Sequence, residues 1–294
     1  MSTTTGMKRW ENRVALVTGA SDGTIGGAIA LDLVRNGMIT IGVARNISLV
    51  EKLKDVDSSI LKKGKLIPYK CDLAKPDEIE KMFTWVKANY GGVDVMINNA
   101  GTSVMKPILG RVLHFSSTYF SKFTFIHLRC SFTCVLAEMG VEEMRTQLDL
   151  NVIALTLCCK LAINSMLERG INDGHVINMN SVLGHQVYGH LNFYAATKFA
   201  VTAVSEGLRK EMAKKGSFIK ITQISPGRVE TKFLYNSFGE SEADKAKALY
   251  NSVKSMSPQD VSDAVIHALA AAPHVQVQDI IFNPIEPTPP GMMK

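Results

Sequence analysis

Residues 13–27 read RVALVTGASDGTIGG. Arg13–Thr18 is a short apolar run that ends in a glycine cluster, Gly19, Gly23, Gly26 and Gly27. Helical spacing follows through Ile29, Leu33 and Val34, and Met38–Ala44 (MITIGVA) reads as a second strand. Together these make a βαβ unit whose strands are apolar enough to be covered on both faces. A glycine turn between a strand and a helix offers free amides and the positive helix end to a phosphate. A glycine-rich turn outside that context would carry little weight.

The alternation continues outward from this unit. Leu66–Tyr69, Val93–Ile97, His175–Met179, Phe218–Ile224 and Val275–Phe282 read as strands. Asp77–Asn89, Val141–Leu167, Asn192–Lys214 and Pro258–Ala271 read as helices. This order predicts an α/β fold, a Rossmann-type doubly wound parallel sheet of about seven strands with helices on both faces. Ligands on such sheets sit at the carboxyl ends of the strands. No linker or repeat divides the 294 residues, so one domain is expected.

Composition narrows the partners. Lys+Arg 33 against Asp+Glu 27 gives a net +6, a mild excess compatible with an anionic dinucleotide. No basic tract with interleaved aromatics points to nucleic acid. No apolar leader opens the chain and no long uncharged run suggests a membrane span, so a cytoplasmic protein is expected. The five cysteines, Cys71, Cys130, Cys134, Cys158 and Cys159, have neither disulfide nor metal spacing. His175, His185 and His190 fit no metal motif either, and substrate or surface contacts are their expected roles. No metal is called for.

The stretch 181–198, SVLGHQVYGHLNFYAATK, carries the chemistry. On a helix, Tyr194 and Lys198 lie at i and i+4, one turn apart on one face. An ammonium beside a phenol favours the phenolate and is expected to lower the tyrosine pKa. Ser181 can hold a carbonyl or alcohol oxygen while Tyr194 moves its proton. Arg45, after Ala44 at the end of the second strand, can pair with a 2′-phosphate, and no carboxylate stands there to accept a ribose hydroxyl. NADP is therefore expected over NAD. Phe233, Leu234, Tyr235 and Phe238 suit an apolar substrate.

Ser181, Tyr194, Lys198, the glycine turn and Asn98-Asn99-Ala100-Gly101 together resemble the short-chain dehydrogenase/reductase family, over about Arg13–Pro284. The resemblance implies a catalytic set of Asn151, Ser181, Tyr194 and Lys198, with Asn151 holding a water that links Lys198 to solvent. It implies cofactor contacts from Gly19, Ser21, Asp22, Gly23, Ile25 and Gly26, from Ala44 and Arg45, and from Asp72 and Leu73 at the adenine. Asn99, Ala100 and Gly101 would line the adenosine ribose, Tyr194 and Lys198 the nicotinamide ribose. Pro226, Gly227, Val229 and Thr231 would face the carboxamide. The implied activity is hydride transfer between NADP and an apolar alcohol or ketone. A farnesol-like isoprenoid is favoured, a steroid or another carbonyl compound being the alternative. A homodimer or homotetramer is implied as well. The rival reading is a non-catalytic dinucleotide-binding or interaction protein.

Two departures from the family pattern stand out. Thr24 is an extra residue inside the glycine turn, able to shift an amide meant for the pyrophosphate. Residues 110–137 form an atypical insertion between the Asn-Asn-Ala-Gly strand and the following helix. RVLHFSSTYFSKFTFIHLRCSFTCVLA has no Gly, Pro, Asp or Glu and holds five of the chain's 12 phenylalanines, with neither turn chemistry nor a clean period. It reads as sequence foreign to the enzyme, such as translated non-coding sequence. The competing reading is a lid or membrane-contact loop.

Overall fold

A computed structural model describes residues 6–56, 63–109, 112–117, 130–135, 138–188, 191–238, 247, 250 and 254–286, with backbone alone for 56, 112–117, 130–135, 236 and 238. Seven parallel strands form the main sheet: β1 (Val14–Thr18), β2 (Ile39–Ala44), β3 (Lys65–Lys70), β4 (Val95–Asn98), β7 (His175–Met179), β8 (Lys220–Pro226) and β9 (Asp279–Phe282). Their order is β3-β2-β1-β4-β7-β8-β9. The order reverses between β1 and β4, which opens a crevice at their carboxyl ends.

Helices α1 (Ile25–Arg35) and α7 (Pro258–Ala270) cover one face, and α2 (Pro76–Tyr90), α4 (Leu155–Glu168) and α5 (Asn192–Lys214) the other. Strand β1 shows why its sequence is apolar throughout. Ala15 and Val17 enter the core beneath α1 and α7, while Val14 and Leu16 enter the opposite core. Alternate residues reach opposite faces, and both faces are dry.

The expected long helix is interrupted. Helix α3 (Val141–Leu148) runs into a π-helical turn, Asp149–Ala154, before α4. Asn151 stands in that turn with its carboxamide bonded to neighbouring segments, and a π-turn widens the helix locally. Val141–Glu168 is long and apolar enough to cross a membrane by length and composition. Its α4 part instead buries Cys158, Cys159, Ala162, Ile163 and Met166 against the sheet.

The last strand is shorter than Val275–Phe282. The Gln276 amide donates to Ile221 O (3.0 Å) and accepts from Ile221 N (3.3 Å). A side chain thus replaces the backbone partner of Ile221, and pairing begins only at Asp279. In the insertion, β5 (Val112–Ser117) and β6 (Cys130–Val135) pair antiparallel as a separate two-stranded sheet. These two strands pair with each other although the sequence there shows no clean strand period. Its remaining residues lie outside those described.

Candidate active site

The glycine turn is held by residues that share few sequence neighbours. Gly19 and Gly23 take positive φ, 68° and 72°, which a side chain rarely tolerates. A Cβ on Gly26 would stand 2.5 Å from both Gly19 O and Asn99 Nδ2, so only glycine fits. Asn99 Nδ2 donates to Thr18 O (2.9 Å) and Gly19 O (3.3 Å). Thr18 Oγ1 accepts from the amides of Asn99 (2.9 Å) and Ala100 (3.0 Å). Asn99 thus braces the glycine turn with its side chain, and Thr18, which sequence reasoning passed over, locks β1 to β4. Its only signal was its place at the strand end before the glycines.

Thr24 does not disrupt this turn. It is the N-cap of α1, in extended conformation. Its Oγ1 accepts from Gly27 N (3.1 Å) and donates to Ser21 O (2.7 Å). The extra residue is absorbed by Gly23, where a Cβ would meet nothing within 4 Å, and by this cap. Ser21, Asp22 and Ile25 complete the turn, with Asp22 N bonded to Leu49 O (3.0 Å).

The other expected cofactor positions lie along the same edge of the sheet. Ala44 ends β2 and is buried, and Arg45 follows it, exposed. Asp72 and Leu73 follow β3. Asp72 N donates to Glu78 Oε2 (2.7 Å), fixing the entry to α2, and Leu73 is buried. Pro226 ends β8, and Gly227 N donates to Phe282 O (2.8 Å). Val229 is buried, and the Tyr250 hydroxyl accepts from Thr231 N (3.2 Å).

Asn151, Ser181, Tyr194 and Lys198 are all buried, and the fold brings them to the carboxyl ends of β4 and β7. Ser181 caps a short 3-10 turn, Val182–Gly184, where its Oγ accepts from Leu183 N (3.1 Å). Its hydroxyl stands beside the Tyr194 phenol and favours the charged form of that group. Lys198 Nζ donates to Met179 O (2.8 Å) and lies 5.6 Å from the Tyr194 ring centroid. A Cβ on Gly101 would stand 4.0 Å from that ammonium and 3.3 Å from Asn151 Oδ1. Gly101 therefore leaves open the space beside both groups.

Asn151 is fully engaged. Its Oδ1 accepts from Thr102 N (2.8 Å), and its Nδ2 donates to Thr102 O (2.8 Å) and Thr197 Oγ1 (3.0 Å). Both amide hydrogens are used. The side chain ties the π-turn to the segment after β4 and to α5, which carries Tyr194.

The electrostatics correct one expectation. Burial raises the Tyr194 pKa and outweighs the lowering by the Ser181 hydrogen bond. Burial also lowers Lys198 from 10.5 to about 8. Without other groups in the site, desolvation of each charged form dominates, and the phenol is not pulled down by its neighbour. The phenol and the ammonium are poised against burial rather than simply activated by each other.

Helix α6 (Lys232–Phe238) closes over this site. The Phe233 ring lies 5.8 Å from the Tyr194 ring, centroid to centroid. Met105 N donates to Ser237 O (3.0 Å), and the Ser103 and Ser237 hydroxyls are bonded, so α6 is latched to the segment after β4. Leu234 and Tyr235 are half-buried, and the Phe238 side chain lies outside the described residues.

The histidines part ways. His175 is fully buried beside Trp10 and bonded to Thr222 Oγ1 (2.8 Å), and burial lowers it to about 3. His185, at an exposed position, reaches Ser225 and Asp279 with its ring. His175 therefore lacks the substrate or surface role expected of it, His185 keeps an exposed place, and His190 lies outside the described residues. Among the described residues, no group of His, Cys, Asp and Glu is arranged to hold a metal.

The family model for short chain dehydrogenases matches residues 13–242, from the first strand through the latched helix. The chain belongs to this family. It is 42% identical to "Dehydrogenase/reductase SDR family member 11" of Gallus gallus, over 95% of this chain and 99% of that one. It is 38% identical to "Farnesol dehydrogenase" of Aedes aegypti, over 95% of this chain and 98% of that one. Among solved structures it resembles a closed serine dehydrogenase complexed with NADP+, with a TM-score of 0.73 at 27% identity, covering 92% of this chain and 94% of that one. As a short chain dehydrogenase with relatives so named, it is an oxidoreductase acting on CH–OH groups.

Proposed function

We propose that this short chain dehydrogenase is an NADP-dependent alcohol dehydrogenase/carbonyl reductase of apolar substrates, with a farnesol-like isoprenoid alcohol as the favoured one. The observation that carries the reading is the convergence of Ser181, Tyr194 and Lys198 beneath the Phe233 ring. An apolar wall stands directly over a proton-transfer group.

The residues present fit a dinucleotide. The Gly26 cradle admits no side chain, the turn opens α1, and Gly101 leaves space beside Lys198. The glycine turn, from Gly19 to Gly26, would hold the pyrophosphate, and Arg45 the 2′-phosphate. Asp72 and Leu73 would border the adenine, and Val229 and Thr231 the carboxamide. Bound there, the nicotinamide supplies or accepts the hydride. Ser181 hydrogen-bonds the substrate oxygen. Tyr194 takes the hydroxyl proton in oxidation and returns it in reduction. Lys198 holds the ribose hydroxyls. Asn151 holds the π-turn whose backbone can seat the water that connects Lys198 to solvent. The match to a farnesol dehydrogenase supports the substrate class, and the NADP-bound structural relative supports the cofactor.

A panel of isoprenoid, steroid and aliphatic alcohols with NADP+ and NAD+ tests this. Farnesol with NADP+ is expected to give the highest kcat/KM. Cofactor binding without turnover of any alcohol would instead make the chain a non-catalytic binder. We further propose a single-domain, cytoplasmic homo-oligomer in which residues 110–137 are foreign to the enzyme. Deleting residues 111–135 should preserve turnover and raise solubility. A deletion variant that folds but is inactive would make the stretch a functional lid.

A further inference from the structure

The turn that presents Ser181 is tied to the far edge of the sheet by a polar cluster unused in the reaction described above. His185 Nε2 lies 3.2 Å from Ser225 Oγ and 3.1 Å from Asp279 Oδ2. Ser225 Oγ donates to Asp279 Oδ1 (2.7 Å), and Gln223 Nε2 donates to Asp279 Oδ2 (3.2 Å). The Ser225 hydrogen is therefore spent on the carboxylate. Both atoms facing His185 Nε2 are acceptors, so that nitrogen carries a hydrogen shared between them.

Serine, histidine and aspartate in contact invite a hydrolase reading, and the geometry rejects it. A nucleophilic serine needs its proton aimed at an imidazole lone pair, with the carboxylate on the other ring nitrogen. Here one ring nitrogen meets both partners, and Ser225 is wholly buried.

We propose that His185 is a positioning residue: with Ser225 and Asp279 it pins the Ser181 turn against the carboxyl end of β8. His185 ends that turn, its amide donating to Val182 O (3.0 Å), one step beyond Gly184 N to Ser181 O (2.8 Å). Ser225 immediately precedes Pro226. The cluster thus joins the segment that holds the substrate oxygen to the segment that faces the carboxamide. A second strap runs alongside: Asn180 Nδ2 donates to Gln223 Oε1 (3.1 Å) and Thr202 Oγ1 (2.9 Å), and Thr202 Oγ1 donates to Gly184 O (3.1 Å).

The charged groups facing the cluster, among the described residues, are Asp279 on β9 and Arg209 on α5, whose guanidinium reaches Gln278 O (3.3 Å) and feels the Asp279 charge. Strand β8 contributes the neutral Gln223 and Ser225, and the turn contributes neutral Asn180.

The test has two arms, because the catalytic consequence rests on the function proposed above. Amide hydrogen exchange on the full chain, without cofactor, reads the tie directly. In His185→Leu and in Asp279→Asn the amides of Leu183, Gly184 and His185 should exchange about tenfold faster, and the double variant no faster than either single one, as expected for coupled groups. Unchanged exchange at these amides overturns the proposal. With farnesol and NADP+, His185→Leu should raise the alcohol KM and cut kcat/KM about tenfold at unchanged NADP+ affinity. His185→Gln, which keeps a neutral donor, should recover most of that loss. A wild-type chain that turns over no alcohol would refute the function and leave the exchange result to decide the positioning.

Discussion

The two ends of the crevice are built on opposite principles. At the glycine turn, the groups that would meet a phosphate are backbone amides, braced from behind by Thr18 and Asn99 and capped by Thr24. At the Tyr194 end the groups are ionisable side chains, buried and shifted by that burial. A backbone cradle tolerates an added residue, because a glycine and a hydroxyl can re-close its hydrogen bonds. A buried proton-transfer site tolerates little, since every group in it is already held by a partner or by packing. Added length is absorbed at the turn, and a changed atom should be felt at the tyrosine.

That contrast is broken most directly at Tyr194. Tyr194→Phe should lower turnover by about 10²-fold or more while NADPH binding stays near wild type. Titration of NADPH fluorescence beside steady-state rates reads both quantities. Activity within about tenfold of wild type would remove Tyr194 from the acid/base role.

At the other end, Ala44→Asp with Arg45→Ala exchanges a cation for an acceptor at the tip of β2. The NADP/NAD ratio of kcat/KM should fall by roughly tenfold or more, since each about 1.4 kcal/mol of lost or gained interaction is a factor of ten. An unchanged ratio would show that the 2′-position is read elsewhere.

Lys198 sharpens the comparison through pH. Its folded pKa lies at about 8, below the ordinary 10.5, so the unfolded chain binds more protons between those values. Its charge therefore opposes folding below pH 8, and this penalty is relieved as pH rises toward 10.5. The cofactor-free Lys198→Met chain should melt a few degrees above wild type at pH 7, with the gap closing by pH 10. Calorimetry across that range checks the sign, and a gap that widens with pH would contradict it. The smallest effect is expected at the turn. Thr24→Ala removes one cap and should cost about 1 kcal/mol of stability, measured by urea unfolding, with little change in kcat.

Much of this was legible in the residues. The alternation of apolar runs and helical spacing specified the seven-stranded sheet because buried parallel strands need both faces apolar. Tyr194 and Lys198 were readable because helical spacing converts sequence distance into a shared face. The contacts of Thr18 and His185 were not readable, because their partners lie far away in the chain. Thr18 bonds Asn99 and Ala100 across two strands, and His185 meets Asp279 from another strand altogether. The direction of the tyrosine shift was hidden for a related reason: spacing shows that an ammonium is near, while only packing shows how far both groups have left water.

By itself, then, the sequence determined what local periodicity and steric exclusion dictate: strands, helices, a turn that requires glycine, and a tyrosine and lysine on one helical face. The tertiary structure alone decided what depends on burial and long-range contact. It set which carboxamide hydrogens are spent, which way a buried phenol titrates, and which distant strand holds the Ser181 turn. Hydrogen-bond partners and desolvation belong to the packed chain, and no stretch of residues carries them alone.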